Sequence, residues 1–278
     1  MNKKIFKEGS EMISLAKELF PICRSIMGEG IRQSMQIFQD IHKEFKAIFF
    51  DTGEKVFDWE IPLEWSIKDA YIKHESGTKY AEFLENNLHV VNYSEAINKT
   101  LNKTELLKNI HTLDSSPTAI PYVTSYYKRS WGFCLQKEIV DHLPEGNYQV
   151  FIDSKLFPGK LKILEALIPG KTKKEIFFSS YLCHPSMANN ELSGPVLLSQ
   201  IISYIKKSFP NNEYSYRFIL IPETIGSIAY LSKNLKVLKK HMISGFNLSC
   251  VGDERAYSHV ESRIGDNLAD LAVKSALI

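Results

Sequence analysis

The chain has 278 residues, 44% hydrophobic and 24% charged, the proportions of an ordinary globular protein rather than a disordered one. Its formal net charge of +2 is too small to make nucleic acid or an acidic membrane an expected partner. Cys23, Cys134, Cys183 and Cys250 lie far apart with no CxxC pair, which speaks against a disulfide framework and for reduced thiols.

The first twenty residues begin basic and then mix charges into apolar positions, so they read as an amphipathic helix rather than a secretory signal. Met12, Ile13, Leu15, Ala16 and Leu19 recur at helical spacing until Pro21 stops them. No apolar run approaches the ~18 residues of a membrane helix, and the sequence reads as cytoplasmic. Gly28 and Gly30 mark a loop before a second helix over residues 31–41. This Gly-x-Gly is no dinucleotide fingerprint, because no strand precedes it and the third glycine is missing.

From 45 to 114 short alternating runs are separated by turns such as Asp51-Thr52-Gly53 and Ser76-Gly77. They predict a small inserted β-rich domain within an α/β domain made of residues 1–44 and 115–278. Residues 101–110 read as a short helix capped by Thr104. An aromatic segment then carries Tyr126, Arg129 and Trp131, which either roof a pocket and select a substrate or fill a core between domains. Residues 147–156 and 159–170 alternate at period two and predict a strand pair joined at Phe157-Pro158-Gly159.

Next come a strand (175–180), a polar loop (183–194), a helix (195–207), a strand (216–221), a helix (225–235) and a strand (245–251). A last helix spans 267–278, with Asp266 as its cap. This alternation predicts an α/β fold with a mostly parallel sheet flanked by helices.

Loops leaving the carboxyl ends of such strands are where ligands and catalysis sit. The first holds His184, whose backbone Pro185 keeps extended; the residue suits a zinc ligand or a hydrogen-bonded structural histidine. Asn189, Asn190 and Glu191 offer oxygen donors to a metal, or caps for the helix that follows. The second strand ends at Glu223, placed as a general base or as an acid favoured by a helix N-terminus. The third ends near Asp253. The expected site is one rim on which His184, Asn190, Glu191 and Asp253 hold a metal and Glu223 moves the proton. Ser186 and Ser193 lack a GxSxG elbow, and Cys183 and Cys250 read as packing.

The stretches RSIMGEGIRQSM, VFDWEIPLEWSIKDAYI, NNLHVVNYS, IPYVTSYYKRSWGFC, YLCHPSMANNELSGP, IPETIGS and CVGDERAYSHVESR carry a resemblance over nearly the whole chain. They resemble a family of bacterial aminopeptidase-like proteins with an inserted domain of unknown function, named as peptidases or polysaccharide-biosynthesis proteins. That family is similar to the di-zinc aminopeptidases and glutaminyl cyclases. The resemblance implies His184 as a zinc ligand, Asn190 at the position of a metal-bridging Asp, Glu223 as general base and Asp253 as a later acidic ligand.

It also exposes departures. Neutral Asn190 cannot bridge two cations as an anion would, and Thr224 stands where a second ligating Glu is placed. The family's further acidic residues, late histidine and winged helix are expected beyond Ile278, so the chain reads as truncated at its C-terminus. One Zn2+, two, or an incomplete site are all open.

The implied activity is zinc-dependent hydrolysis of an amide bond near a free amine, on a small peptide or amino-sugar amide. The alternative is a degenerate accessory or binding protein in surface-polysaccharide or flagellar-glycan biosynthesis. No membrane or nucleic-acid partner is expected, and a homo-oligomer is open.

Overall fold

The computed structural model describes residues 3–277, so Met1, Asn2 and Ile278 of the expected first and last helices lie outside the described residues. The chain begins with α1 (Lys3–Leu19), α2 (Glu29–Ile41), β1 (Lys46–Asp51), β2 (Lys55–Val56) and β3 (Trp59–Glu60). It continues through β4 (Glu64–His74), β5 (Lys79–Glu82), β6 (Ile97–Asn102), α3 (Lys103–Leu107), β7 (Ile110–His111), β8 (Phe133–Cys134) and α4 (Lys137–Asp141). Then follow β9 (Asn147–Phe157), β10 (Lys160–Ile168), β11 (Glu175–Tyr181), α5 (Ser193–Ser208) and β12 (Ser215–Ile221). The last elements are α6 (Ile225–His241), β13 (Met242–Asn247) and α7 (Leu268–Ala276). Two compact units result: Met1–Ile61 with Lys160–Ile278, and Pro62–Gly159.

The first unit is built on a five-stranded sheet in the order β1-β10-β12-β11-β13. Pairing is antiparallel from β1 to β10 and from β10 to β12, then parallel from β12 through β11 to β13. The sheet is therefore mixed rather than mostly parallel. The reason is local: β10 reaches β11 through a short loop with no crossover helix, which reverses the chain, whereas α5 and α6 supply the long crossovers that parallel neighbours need.

Phe178 lies in register with Phe218 and Phe246 and stacks on them at 5.3 and 5.2 Å, tying the three parallel strands across one face. Each such ring pair is worth about 0.5–1.5 kcal/mol beyond its buried area. Helix α2 buries Ile31, Ser34, Met35 and Phe38, one face of a helix, and lies against β10. Helix α5 lies against β11 and β12, and α6 against β10 and β13.

The second unit is a four-stranded antiparallel sheet, β5-β4-β9-β6, with the short pair β7–β8. Three expectations change here. The strand pair across Phe157-Pro158-Gly159 does not form: β9 pairs with β4 and β6, while β10 pairs with β1 and β12. The turn leads from one sheet to the other.

The division also moves away from 45–114. Residues 45–61 stay with the first unit because β1 pairs along its whole length with β10, and β9 draws 115–159 into the second. Finally, the stretch read as a helix over 101–110 begins as strand. Its short helix is capped by Asn102 in a box with Glu105, not by Thr104. In the same way Asn267, not Asp266, caps α7, in a box with Asp270. Among the described residues no helix is long and apolar enough to cross a membrane, and the four cysteines are free thiols.

Candidate active site

Because β12, β11 and β13 run parallel, their carboxyl ends share one edge of the sheet, and the loops leaving them carry Glu223, His184 and Asp253. Each loop contains a non-glycine residue in the left-handed region: Ser186 (φ 42°), Thr224 (φ 58°) and Cys250 (φ 54°). Thr224 is β-branched, with ψ −75°, a γ-turn geometry that such a side chain resists. Backbone of this kind persists only where its surroundings hold it.

For the loops after β11 and β13 the holding is visible. Ser193 Oγ donates to the Asn189 carbonyl and accepts the Val251 N–H at 2.9 Å, and Asn189 Oδ1 accepts the Gly252 N–H at 2.8 Å. These bonds lace the loop after β11 to the loop after β13. A Cβ on Gly194 would stand 2.3 Å from Ser180 Oγ and 2.4 Å from the Leu248 carbonyl, so α5 starts hard against both strand exits.

The loop after β11 folds its polar side chains inward. Helix α5 begins after Leu192 with no side-chain cap, so neither Asn190 nor Glu191 serves as a capping residue. Both turn to the imidazole instead. Asn190 Oδ1 is 3.2 Å and Glu191 Oε2 3.3 Å from His184 Nδ1. Across the ring, Nε2 is 3.1 Å from Glu223 Oε2. His184 is buried and Glu191 fully so, whereas the Glu223 side chain is 53% exposed.

Burial pulls His184 below the usual imidazole range, against the opposing pull of Asn190 and Glu223. Burial also pushes the Glu191 carboxyl up to about 8, with Arg24 working in the other direction. The Cys183 thiol is raised well above its usual value by burial.

Not every expected residue joins this group. Asp253 has both carboxylate oxygens on the Arg255 guanidinium, at 2.9 and 3.0 Å from Nε, and this pairing holds its pKa down. Tyr126, Arg129 and Trp131 lie in the second unit, where the Tyr126 hydroxyl is 2.7 Å from that of Tyr122 and Arg129 pairs with Glu95 at 3.1 Å.

Two residues not singled out for the site do join it. Cys183 receives the Glu223 N–H on its sulfur at 3.2 Å, while its own N–H donates to Glu191 Oε1. The buried Arg24 donates from Nε to the His184 carbonyl at 2.9 Å and stands 3.5 Å from Glu191 Oε1. Adjacency to His184 was a signal for Cys183. For Arg24 there was none.

Cys183, His184 and Glu191 form a buried group whose ligand atoms lie within 4.8 Å of one another. Glu191 Oε2 is a buried carboxylate oxygen that accepts no hydrogen bond. Two donors ~2.0–2.1 Å from one zinc stand roughly 3.3 Å apart at tetrahedral angles, and Glu191 Oε2 is 3.3 Å from His184 Nδ1. These residues fit one cation. They do not fit a second, since Asn190 is neutral, Thr224 carries no carboxylate and Asp253 is committed to Arg255.

A family described as a domain of unknown function, DUF4910, matches residues 13–278. A Clostridium acetobutylicum protein, provisionally named a polysaccharide biosynthesis protein with aminopeptidase-like domain, is 43% identical over 270 residues, 97% of this chain. The chain spans 61% of that relative's length. The crystal structure of a C. acetobutylicum protein provisionally named a peptidase matches with TM-score 0.93 and 43% identity, over 99% of this chain and 65% of its own. A zinc aminopeptidase from Bacillus subtilis matches with TM-score 0.64 and 13% identity, over 95% of this chain and 75% of its own, a likeness of fold alone. The chain belongs to the DUF4910 family and has the aminopeptidase-like α/β fold.

Proposed function

We propose that the protein is a metal-dependent hydrolase of the aminopeptidase type, acting on an amide bond near a free amine in a small peptide or amino-sugar substrate. One observation carries the reading: Glu223, half-exposed at one strand end, meets the buried group of His184, Glu191 and Cys183 at the next, with 3.1 Å between Glu223 and the imidazole. His184 and Glu191, with Cys183 beside them, would hold a single Zn2+, which supplies Lewis-acid polarisation of the scissile carbonyl.

The chain's own residues do the rest. Asn190, with Oδ1 3.2 Å from the same imidazole nitrogen, would offer the cation a neutral oxygen donor. Glu223, open to solvent on one side, accepts the proton of the attacking water and returns it to the leaving amine. The exposure of Glu223 leaves room for the substrate beside it. Tyr126, Arg129 and Trp131 remain the proposed substrate-selecting residues, Asp253 an outer acid, and the cytoplasm the proposed compartment, with no membrane or nucleic-acid partner.

The test is Glu223→Gln assayed on amino-acid amides together with the metal content of the purified protein. The expected outcome is one zinc per chain in both proteins and a loss of about 10²–10⁴-fold in hydrolysis in the variant. Full activity in Glu223→Gln would overturn the assignment. A second reading is an accessory protein of polysaccharide biosynthesis without catalysis. Neutral Asn190 and the Asp253–Arg255 pair favour it, and zinc absent from the purified protein would select it.

A further inference from the structure

Arg24 sits in the loop between α1 and α2, and it is the largest side chain of this unit with no exposed surface. A guanidinium keeps its charge in any protein environment, so burying one is costly unless anions and carbonyls surround it. Those partners are of a particular kind. Nη1 donates to the Leu19 carbonyl at 2.5 Å and to Ser34 Oγ at 3.4 Å, anchoring the fork to the two N-terminal helices. Nε donates at 2.9 Å to the His184 carbonyl, 160 residues away, and faces Glu191 Oε1 at 3.5 Å.

The loop has no slack. A Cβ on Gly30 would fall 1.9 Å from the Cys23 carbonyl, so α2 presses directly on the residue before Arg24.

The consequence concerns Glu191. Its Oε1 is engaged by Arg24 and by the Cys183 N–H, which leaves Oε2 as the oxygen turned to His184 Nδ1. Arg24 touches the backbone of one member of the pair and the carboxylate of the other. We propose that Arg24 is a positioning residue: its rigid fork sets which oxygen of Glu191 meets the imidazole of His184, and so sets the affinity of the site for a divalent cation. This rests on the single-cation reading above, and it assigns the N-terminal loop a role in the site rather than in the fold alone. Lysine keeps the charge but not the fork, so it separates charge from geometry.

The experiment compares Arg24→Lys with the unaltered chain by two readouts at one fixed pH. These are Zn2+ affinity by competition with a chelator, and the side-chain ¹⁵N resonances of His184 in metal-free protein. Arg24→Lys should weaken Zn2+ binding about tenfold or more, the size seen when partners of metal ligands are removed, and should move the His184 Nδ1 resonance. An unchanged resonance with unchanged affinity overturns the proposal and leaves the cation reading standing. If neither protein binds Zn2+ but the resonance still moves, the cation reading fails and the positioning role survives. Should Arg24→Lys fail to fold, Ser34→Ala removes one anchor of the same fork. It should shift the same resonance by less, and no shift there refutes the role.

Discussion

Two buried histidines of the second unit and His184 of the first meet their partners in opposite ways. In the second unit, His74 accepts the Ser76 N–H on Nδ1 at 3.2 Å and donates from Nε2 to the Glu145 carbonyl at 3.1 Å. His89 donates from Nδ1 to the Cys134 carbonyl at 2.9 Å. For each, one neutral tautomer satisfies the contacts. In the first unit, His184 meets acceptors on both sides, Asn190 and Glu191 at Nδ1 and Glu223 at Nε2. A neutral imidazole has one N–H to give, so no tautomer donates to both sides, and burial works against the second proton. What sets His184 apart from His74 and His89 is this mismatch, not burial, which all three share.

The sharpest way to break that contrast is a pair of substitutions. His184→Gln should abolish Zn2+ uptake and lower hydrolysis at least ~100-fold, while unfolding within about 1 kcal/mol of the unaltered chain. His89→Leu should do the reverse, costing about 1–3 kcal/mol because the buried Cys134 carbonyl loses its donor, with metal content unchanged. Denaturant melts and metal analysis on both variants decide it; equal destabilisation with metal retained in both would erase the distinction.

A smaller effect is expected at the lacing of the rim. Asn189→Ala removes the acceptor of the Gly252 N–H and should cost about 1 kcal/mol. It should speed hydrogen exchange at Gly252 before any amide of β12, and uniform exchange rates would count against a locally held loop.

The smallest test uses His42, buried in the first unit and bonded through Nε2 to Ser199 at 2.7 Å. Burial lowers its pKa in the folded chain. The unfolded chain then binds more protons near pH 6, so this contribution is intact above the unfolded value of about 6.5 and is lost as the pH falls below it. Melts at pH 7.5 and 5.5 should show that loss, and His42→Gln should flatten it.

Much of this was legible in the amino-acid order. Strands β11 and β12 and helices α5 and α6 announce themselves by period, and that alternation places His184 and Glu223 at neighbouring strand ends. The parts that were not legible share a physical cause, since they depend on partners far along the chain. The turn at Pro158-Gly159 looks the same whether its flanking strands pair or part, and only β1 and β4 decide it. Arg24 looks like any loop arginine until residue 184 is folded against it. The strand-end position of Asp253 does not announce that Arg255, two residues on, takes its carboxylate.

The second unit starts and finishes on partnered strands, Glu64 opposite Phe157. The first unit leaves off at Ile61, whose carbonyl holds the Gly53 N–H at 2.9 Å, and resumes at Lys160 opposite Asp51. Each side of the boundary is closed by its own backbone ladder. The segment from Pro62 to Gly159 is therefore an insertion whose ends fall where one ladder stops and the other begins, at Asp51 with Lys160 and at Glu64 with Phe157.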